Sequence, residues 1–147
     1  MQLFTVDYPK GDRGGNEICV RVTHTGQPMD LHRFWDGVIT SSSNLTRLRN
    51  EATALRTRQE FQRNQLAELA STDFEVWGKE SYEIATIAYL NGGRLGIAKG
   101  EKKDCRDAQA VPVLPLGYVV NASRIADRRM ILAGYRLTDI MKQRLGN

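Results

Sequence analysis

The stretch from Asp12 to Asp36 opens as Asp12-Arg13-Gly14-Gly15-Asn16. It passes through Glu17-Ile18-Cys19-Val20-Arg21-Val22-Thr23 and closes on Leu31-His32-Arg33-Phe34-Trp35-Asp36. Each part has its own local signature. The opening, with Pro9 and Gly11 just before it, is a polar turn whose glycines admit positive φ. In the middle part Ile18, Val20 and Val22 alternate with Cys19, Arg21 and Thr23, which is the period of a strand. Gly26 and Pro28 end that strand. A single short strand needs a partner, and none is evident downstream. The expectation is therefore either a small hairpin with the opening loop or a partner upstream. Asp30 is placed as the N-cap of a short helix from Leu31 to about Ile39, with Leu31, Phe34 and Trp35 as its apolar face.

Beyond this stretch the pattern is helical. Asn44 caps a predicted helix in which Leu45, Leu48, Ala52, Leu55, Leu66 and Leu69 form one stripe, so residues 45–70 read as one long amphipathic helix. A third helix starts at Thr72 or Asp73, with Phe74, Trp77, Ser81, Ile84, Ala85 and Ala88 on one side. Residues 91–115 are rich in glycine and read as a long loop. A last helix runs from about Leu116 to Arg144, its core face expected from Val120, Ile131, Leu137, Ile140, Met141 and Leu145. Gly134 in mid-helix costs about 1 kcal/mol against alanine, which a close helix–helix contact would justify. The fold class is mainly α with one short β-hairpin or strand, in one domain spanning residues 1–147.

Composition sets the outer bounds. The chain has 147 residues, 41% hydrophobic and 26% charged, within the globular range. No apolar run approaches the ~20 residues of a membrane span, and no secretory signal is visible at the start. The net charge is +4, concentrated at the end, where residues 111–147 carry six basic and two acidic side chains. Such a segment, with Arg124, Arg128, Arg129 and Arg136, suits either a phosphate-bearing partner or a solvated helix face. Cys19 and Cys105 lack metal-binding or redox spacing. They are open to one long-range disulfide or to buried free thiols.

His32 and Asp36 are four apart on the predicted helix, hence on one face. An imidazole and a carboxylate so placed make either a helix ion pair worth a few tenths of a kcal/mol or two ligands of one zinc ion. The other histidine, His24, falls in the turn after the strand, as a third ligand or as a solvated turn residue.

Taken together, Asp12-Arg13-Gly14-Gly15-Asn16, the short β segment and Leu31-His32-Arg33-Phe34-Trp35-Asp36 resemble the S1/P1 nuclease family. Trp77-Gly78-Lys79-Glu80-Ser81, Gly117-Tyr118 and Ala133-Gly134-Tyr135-Arg136-Leu137 resemble its later motifs in the same order. The resemblance implies the helical phospholipase C/P1 nuclease-like fold, in part, and a secreted or periplasmic setting. It implies a zinc-dependent endonuclease for single-stranded DNA and RNA, with 3′-nucleotidase activity, built on a three-zinc cluster. His32 and Asp36 match two ligands of one zinc. Gly14, Gly15 and Asn16 match the nucleotide-binding turn, where the asparagine meets a nucleobase. No protein nucleophile is implied. Trp77, Glu80 and Ser81 read as packing and helix-start residues, and Arg136 as a pin between helices.

The chain resembles roughly the C-terminal half of the family domain. The family's N-terminal tryptophan and its upstream histidine–aspartate helix are not matched, and Phe4 falls where the last histidine of that helix would stand. The expectation is a truncated chain with at most a partial zinc site, whose partners are single-stranded nucleic acid or nucleotides and the missing N-terminal half. A helical nucleic-acid- or protein-binding relative without catalysis is the alternative.

Overall fold

The structure, a computed structural model, describes residues 4, 8–39, 43–91, 95, 104–108 and 110–146. Ser41 and Ser42, expected to form a break, lie outside the described residues, as does most of the predicted loop before residue 104.

The predicted strand forms only at its centre. Strand β1 (Cys19–Val20) pairs antiparallel with β2 (Met29–Asp30), in the register Cys19 opposite Asp30 and Val20 opposite Met29. The partner thus lies downstream, against expectation. Met29–Asp30 is too short to show an alternation of its own, and it leads directly into helix α1 (Leu31–Gly37). The Leu31 N–H continues the ladder by donating to Ile18 O at 2.8 Å. Arg21 forms a parallel bridge to Val113, with backbone hydrogen bonds of 2.8 Å to Pro112 and from Leu114. Residues 112–114 therefore flank the hairpin. A disulfide joins Cys19 to Cys105, so neither cysteine is the free thiol that the sequence left open.

Asp30 caps α1 as expected, its Oδ1 accepting from Arg33 N–H at 2.7 Å. Helix α2 (Leu45–Thr57) begins at Asn44, whose Oδ1 accepts from Arg47 N–H at 3.0 Å. The expected long helix to residue 70 stops at Thr57. Three short 3₁₀ turns follow, Gln59–Phe61, Arg63–Gln65 and Ala67–Ala70. Burial explains the break. Leu55, Phe61 and Leu66 are all buried, yet in one straight α-helix Phe61 would lie about 240° around the axis from Leu55. Rewinding the chain lets all three reach the interior. Asp73 caps helix α3 (Phe74–Ile84), which passes into a π-turn at Ala85–Tyr89.

Helix α4 (Tyr118–Leu145) starts after Gly117 at φ 82° and stops at Gly146 at φ 74°, left-handed positions that glycine occupies without penalty. Its buried face differs from the one expected. Tyr118, Ala122, Ala126, Leu132 and Arg136 face inward, while Val120, Leu137, Met141 and Leu145 are exposed. A Cβ built at Gly134 meets nothing within 4 Å, so no close helix contact accounts for that glycine.

Ion pairs lie along this inward side. Arg136 Nη2 donates to Glu80 Oε1 at 2.7 Å and to Glu68 O at 2.9 Å, with its guanidinium 4.6 Å from the Trp77 ring centroid. Arg129 donates to Glu80 Oε2 at 2.7 Å and to Ser81 Oγ at 3.0 Å. Arg128 makes two bonds of 2.7 Å to Glu68. Arg58–Asp127 and Arg63–Asp139 tie α4 to the chain around the 3₁₀ turns. Three of the six basic side chains noted at the end of the sequence, Arg128, Arg129 and Arg136, are therefore fastened to acids of the chain. Arginine bonds hold Glu68 and Glu80 below the ordinary carboxylate value of 4.5: Arg128 acts on the first, Arg136 and then Arg129 on the second.

The main core gathers Ile18, Val20, Leu31, Phe34, Leu95, Leu114, Tyr118 and Ala122. Trp35 Nε1 donates to Tyr118 Oη at 3.1 Å, and Phe34 packs on the same ring at 5.7 Å between centroids. Burial pushes the Tyr118 hydroxyl up to about 12. The hydrophobic face of α1 is thereby fixed against α4, which leaves the opposite face of α1 to solvent.

Candidate metal centre

The exposed face of α1 carries His32 and Asp36. The turn beside it is built by Asp12, itself buried, whose Oδ1 accepts from Gly14 N–H at 2.9 Å and whose carbonyl accepts from Gly15 and Glu17 N–H at 3.0 and 3.2 Å. Three successive residues have positive φ: Arg13 at 51°, Gly14 at 65° and Gly15 at 89°. Two glycines make this affordable, and Arg13 takes a conformation that non-glycine residues seldom adopt.

That backbone path delivers one carbonyl to the helix. Gly14 O lies 2.9 Å from His32 Nδ1. A carbonyl only accepts, so Nδ1 carries the proton and donates. The other ring nitrogen, Nε2, faces Asp36 Oδ2 at 3.3 Å. In the neutral imidazole Nε2 holds a lone pair, and a carboxylate oxygen opposite it holds another. Two acceptors at that distance need a proton or a cation between them. Adjacent ligands of one tetrahedral zinc stand about 3.4 Å apart when each bond is about 2.1 Å. The donor types, the tautomer and the spacing fit two positions of such an ion. Anchoring of the distal nitrogen to a backbone carbonyl is the support that ligating histidines need. Side-chain exposures of 49% for His32 and 71% for Asp36 leave the pair open to solvent.

Further donors are not assembled around it. His24 is exposed in the hairpin loop, and no group of three or more His, Cys, Asp or Glu able to hold a metal exists among the described residues. Phe4, at the position the resemblance gives to a histidine, is 69% exposed and offers no donor.

Asn16 stands at the end of the same turn, its Nδ2 donating to Arg13 O at 2.8 Å. The turn and α1 together border an open groove of about 700 Å³ on which Asn16, Arg13, Arg33 and the disulfide-tethered Arg106 converge. Sequence reading singled out Asn16 but missed Arg33 and Arg106. Arg33 carried no signal beyond its place beside His32. Arg106 depends on a disulfide that the sequence left open.

The model of the family described as S1/P1 Nuclease matches residues 3–146. No curated protein and no solved structure matches the chain. No described helix is long and apolar enough to cross a membrane.

Proposed function

Because the chain belongs to the S1/P1 nuclease family, we propose that it contributes to zinc-dependent hydrolysis of phosphodiester bonds in single-stranded DNA or RNA, with removal of 3′-phosphates as a second activity. The observation that carries this reading is the His32–Asp36 pair, with Nε2 and Oδ2 3.3 Å apart and Nδ1 anchored on Gly14 O. Zinc held there supplies activation of water and neutralises charge on the phosphate. The chain's own residues prepare that place. Gly14 O fixes the imidazole tautomer, and Asp36 adds the negative charge that favours a cation. The Gly14-Gly15-Asn16 turn presents backbone and amide groups to the nucleotide. No side-chain nucleophile is required of this chain.

In this reading the pair is a share of the family's cluster, and the remaining ligands belong to the other half of the domain. Internal pairing of Cys19 with Cys105 supports a secreted or periplasmic setting, where disulfides persist.

The test is hydrolysis of single-stranded oligonucleotides with added zinc, with and without a chelator. The expected result is slow cleavage that the chelator stops and zinc restores, lowered at least about 100-fold by His32→Ala. The described donors number two, which favours a second reading, a non-catalytic relative that binds nucleic acid. Oligonucleotide binding without cleavage at any zinc concentration would replace the first reading with the second.

A further inference from the structure

Helix α1 is only seven residues long, and two of its faces are in use. At about 100° per residue, Leu31, Phe34 and Trp35 span an arc of about 100°. His32 falls about 60° past Trp35, and Asp36 about 100° past it. Trp35 therefore stands on the edge between the face that packs inward and the face that carries the metal pair. Leu31 and Phe34 are buried, but apolar burial is non-directional. A hydrogen bond weakens steeply off its line. Trp35 supplies that direction, its Nε1 donating to Tyr118 Oη at 3.1 Å.

Tyr118 is a firm anchor for such a bond. It is buried, it is the first residue of α4, and its N–H donates to Pro115 O at 3.0 Å. Its ring meets those of Phe34 and Trp35 at 5.7 and 6.3 Å between centroids. The rotation fixed there matters on the other face of α1. A side-chain atom about 5–6 Å from a helix axis moves about 1 Å when the helix turns by about 10°. His32 Nδ1 lies 2.9 Å from Gly14 O, and a shift of that size away from the carbonyl takes it out of hydrogen-bond range.

We propose that Tyr118 is a positioning residue for the metal pair: by taking the Trp35 indole N–H, its hydroxyl holds α1 at the rotation that seats His32 on Gly14 O. Tyr118 acts through Trp35 and takes no part in bond cleavage. The proposal rests on the metal reading for what the pair holds, while the placement of the imidazole is tested without zinc.

The experiment compares the whole chain with Tyr118→Phe, which removes the hydroxyl and keeps the ring. In chelator, proton NMR cross-relaxation between the His32 ring and the Gly14 α-protons reads the placement. The parent is expected to show this cross-peak and Tyr118→Phe to lose it. Zinc titration followed on the His32 ring should then show affinity about fivefold weaker in the variant, the value of one hydrogen bond. Leu132→Ala is the control for stability alone, at a buried position of α4 outside the cluster around Tyr118. It should lower the unfolding temperature and leave both readouts at the parent's values. Retention of the cross-peak in Tyr118→Phe, zinc affinity equal to the parent's, or the same losses in Leu132→Ala would each overturn the proposal. A parent whose His32 ring does not respond to zinc would defeat the metal reading instead, and the cross-peak would still decide the role of Tyr118.

Discussion

The Gly14 carbonyl oxygen decides what His32 can do. Without it both ring tautomers would be available, and a histidine four residues from an aspartate would be an ordinary surface ion pair. With it, Nδ1 is committed as a donor and Nε2 is turned to Asp36. The carbonyl owes its direction to Gly14 and Gly15, both at positive φ. Gly15→Ala is therefore expected to lower stability by about 1–2 kcal/mol and to weaken zinc binding as Gly14 O moves. Thermal unfolding measures the first effect, and zinc titration at a temperature where the variant is folded measures the second. Unchanged values of both would show that the turn does not set the site. The spacing of His32 and Asp36 was readable because helical periodicity alone puts them on one face. The Gly14 contact spans eighteen positions and depends on tertiary placement that no local pattern encodes.

Helix α4 buries a face other than its aliphatic stripe. Periodicity pointed to one aliphatic face, and the structure turns another inward, of small residues with Leu132 and Arg136. On that side Glu68 and Glu80 pair with Arg128, Arg129 and Arg136. A hydrophobic-periodicity argument counts methylenes and cannot see acids that arrive from elsewhere in the chain. For the same reason the break after Thr57 was invisible. Local spacing supported a continued helix, and only the joint burial of Leu55, Phe61 and Leu66 rules it out.

Two outcomes follow for these elements. Arg136 is buried, and its replacement by Met leaves Glu80 with one partner fewer, so Arg136→Met should cost about 3 kcal/mol in denaturant unfolding. A loss below about 1 kcal/mol would mean that the pair is not fastening the helices. Both Glu68 and Glu80 titrate below 4.5 in the folded protein. Their contribution is present in full above that value and is lost as pH falls through the folded values. Stability measured below pH 4.5 should therefore fall steeply in the parent and less steeply in Glu80→Gln. Parallel curves would contradict the assignment.

For the molecule as a whole, the Cys19–Cys105 bond closes a separation of 86 residues. It ties the segment bearing Asp104 and Arg106 to the hairpin that precedes α1. Replacing both cysteines by alanine should lower stability by about 3 kcal/mol and loosen the wall that carries Arg106. Thermal unfolding of parent and variant checks the first, and a variant as stable as the parent would show that the bridge is dispensable. The fold class and the order of the helices were legible because periodicity, caps and glycine stops are local. The disulfide, the inward face of α4 and the arginine groove were not, because each joins parts of the chain far apart in sequence.

The protein has two histidines, and only His32 stands in the proposed zinc position. Proton–carbon NMR of the two imidazole rings during a zinc titration therefore carries its own internal control. The His32 resonances are expected to shift with zinc, those of His24 to stay in place, and Asp36→Asn to abolish the His32 response. Equal shifts of both rings, or a His32 ring unmoved by saturating zinc, would contradict that position.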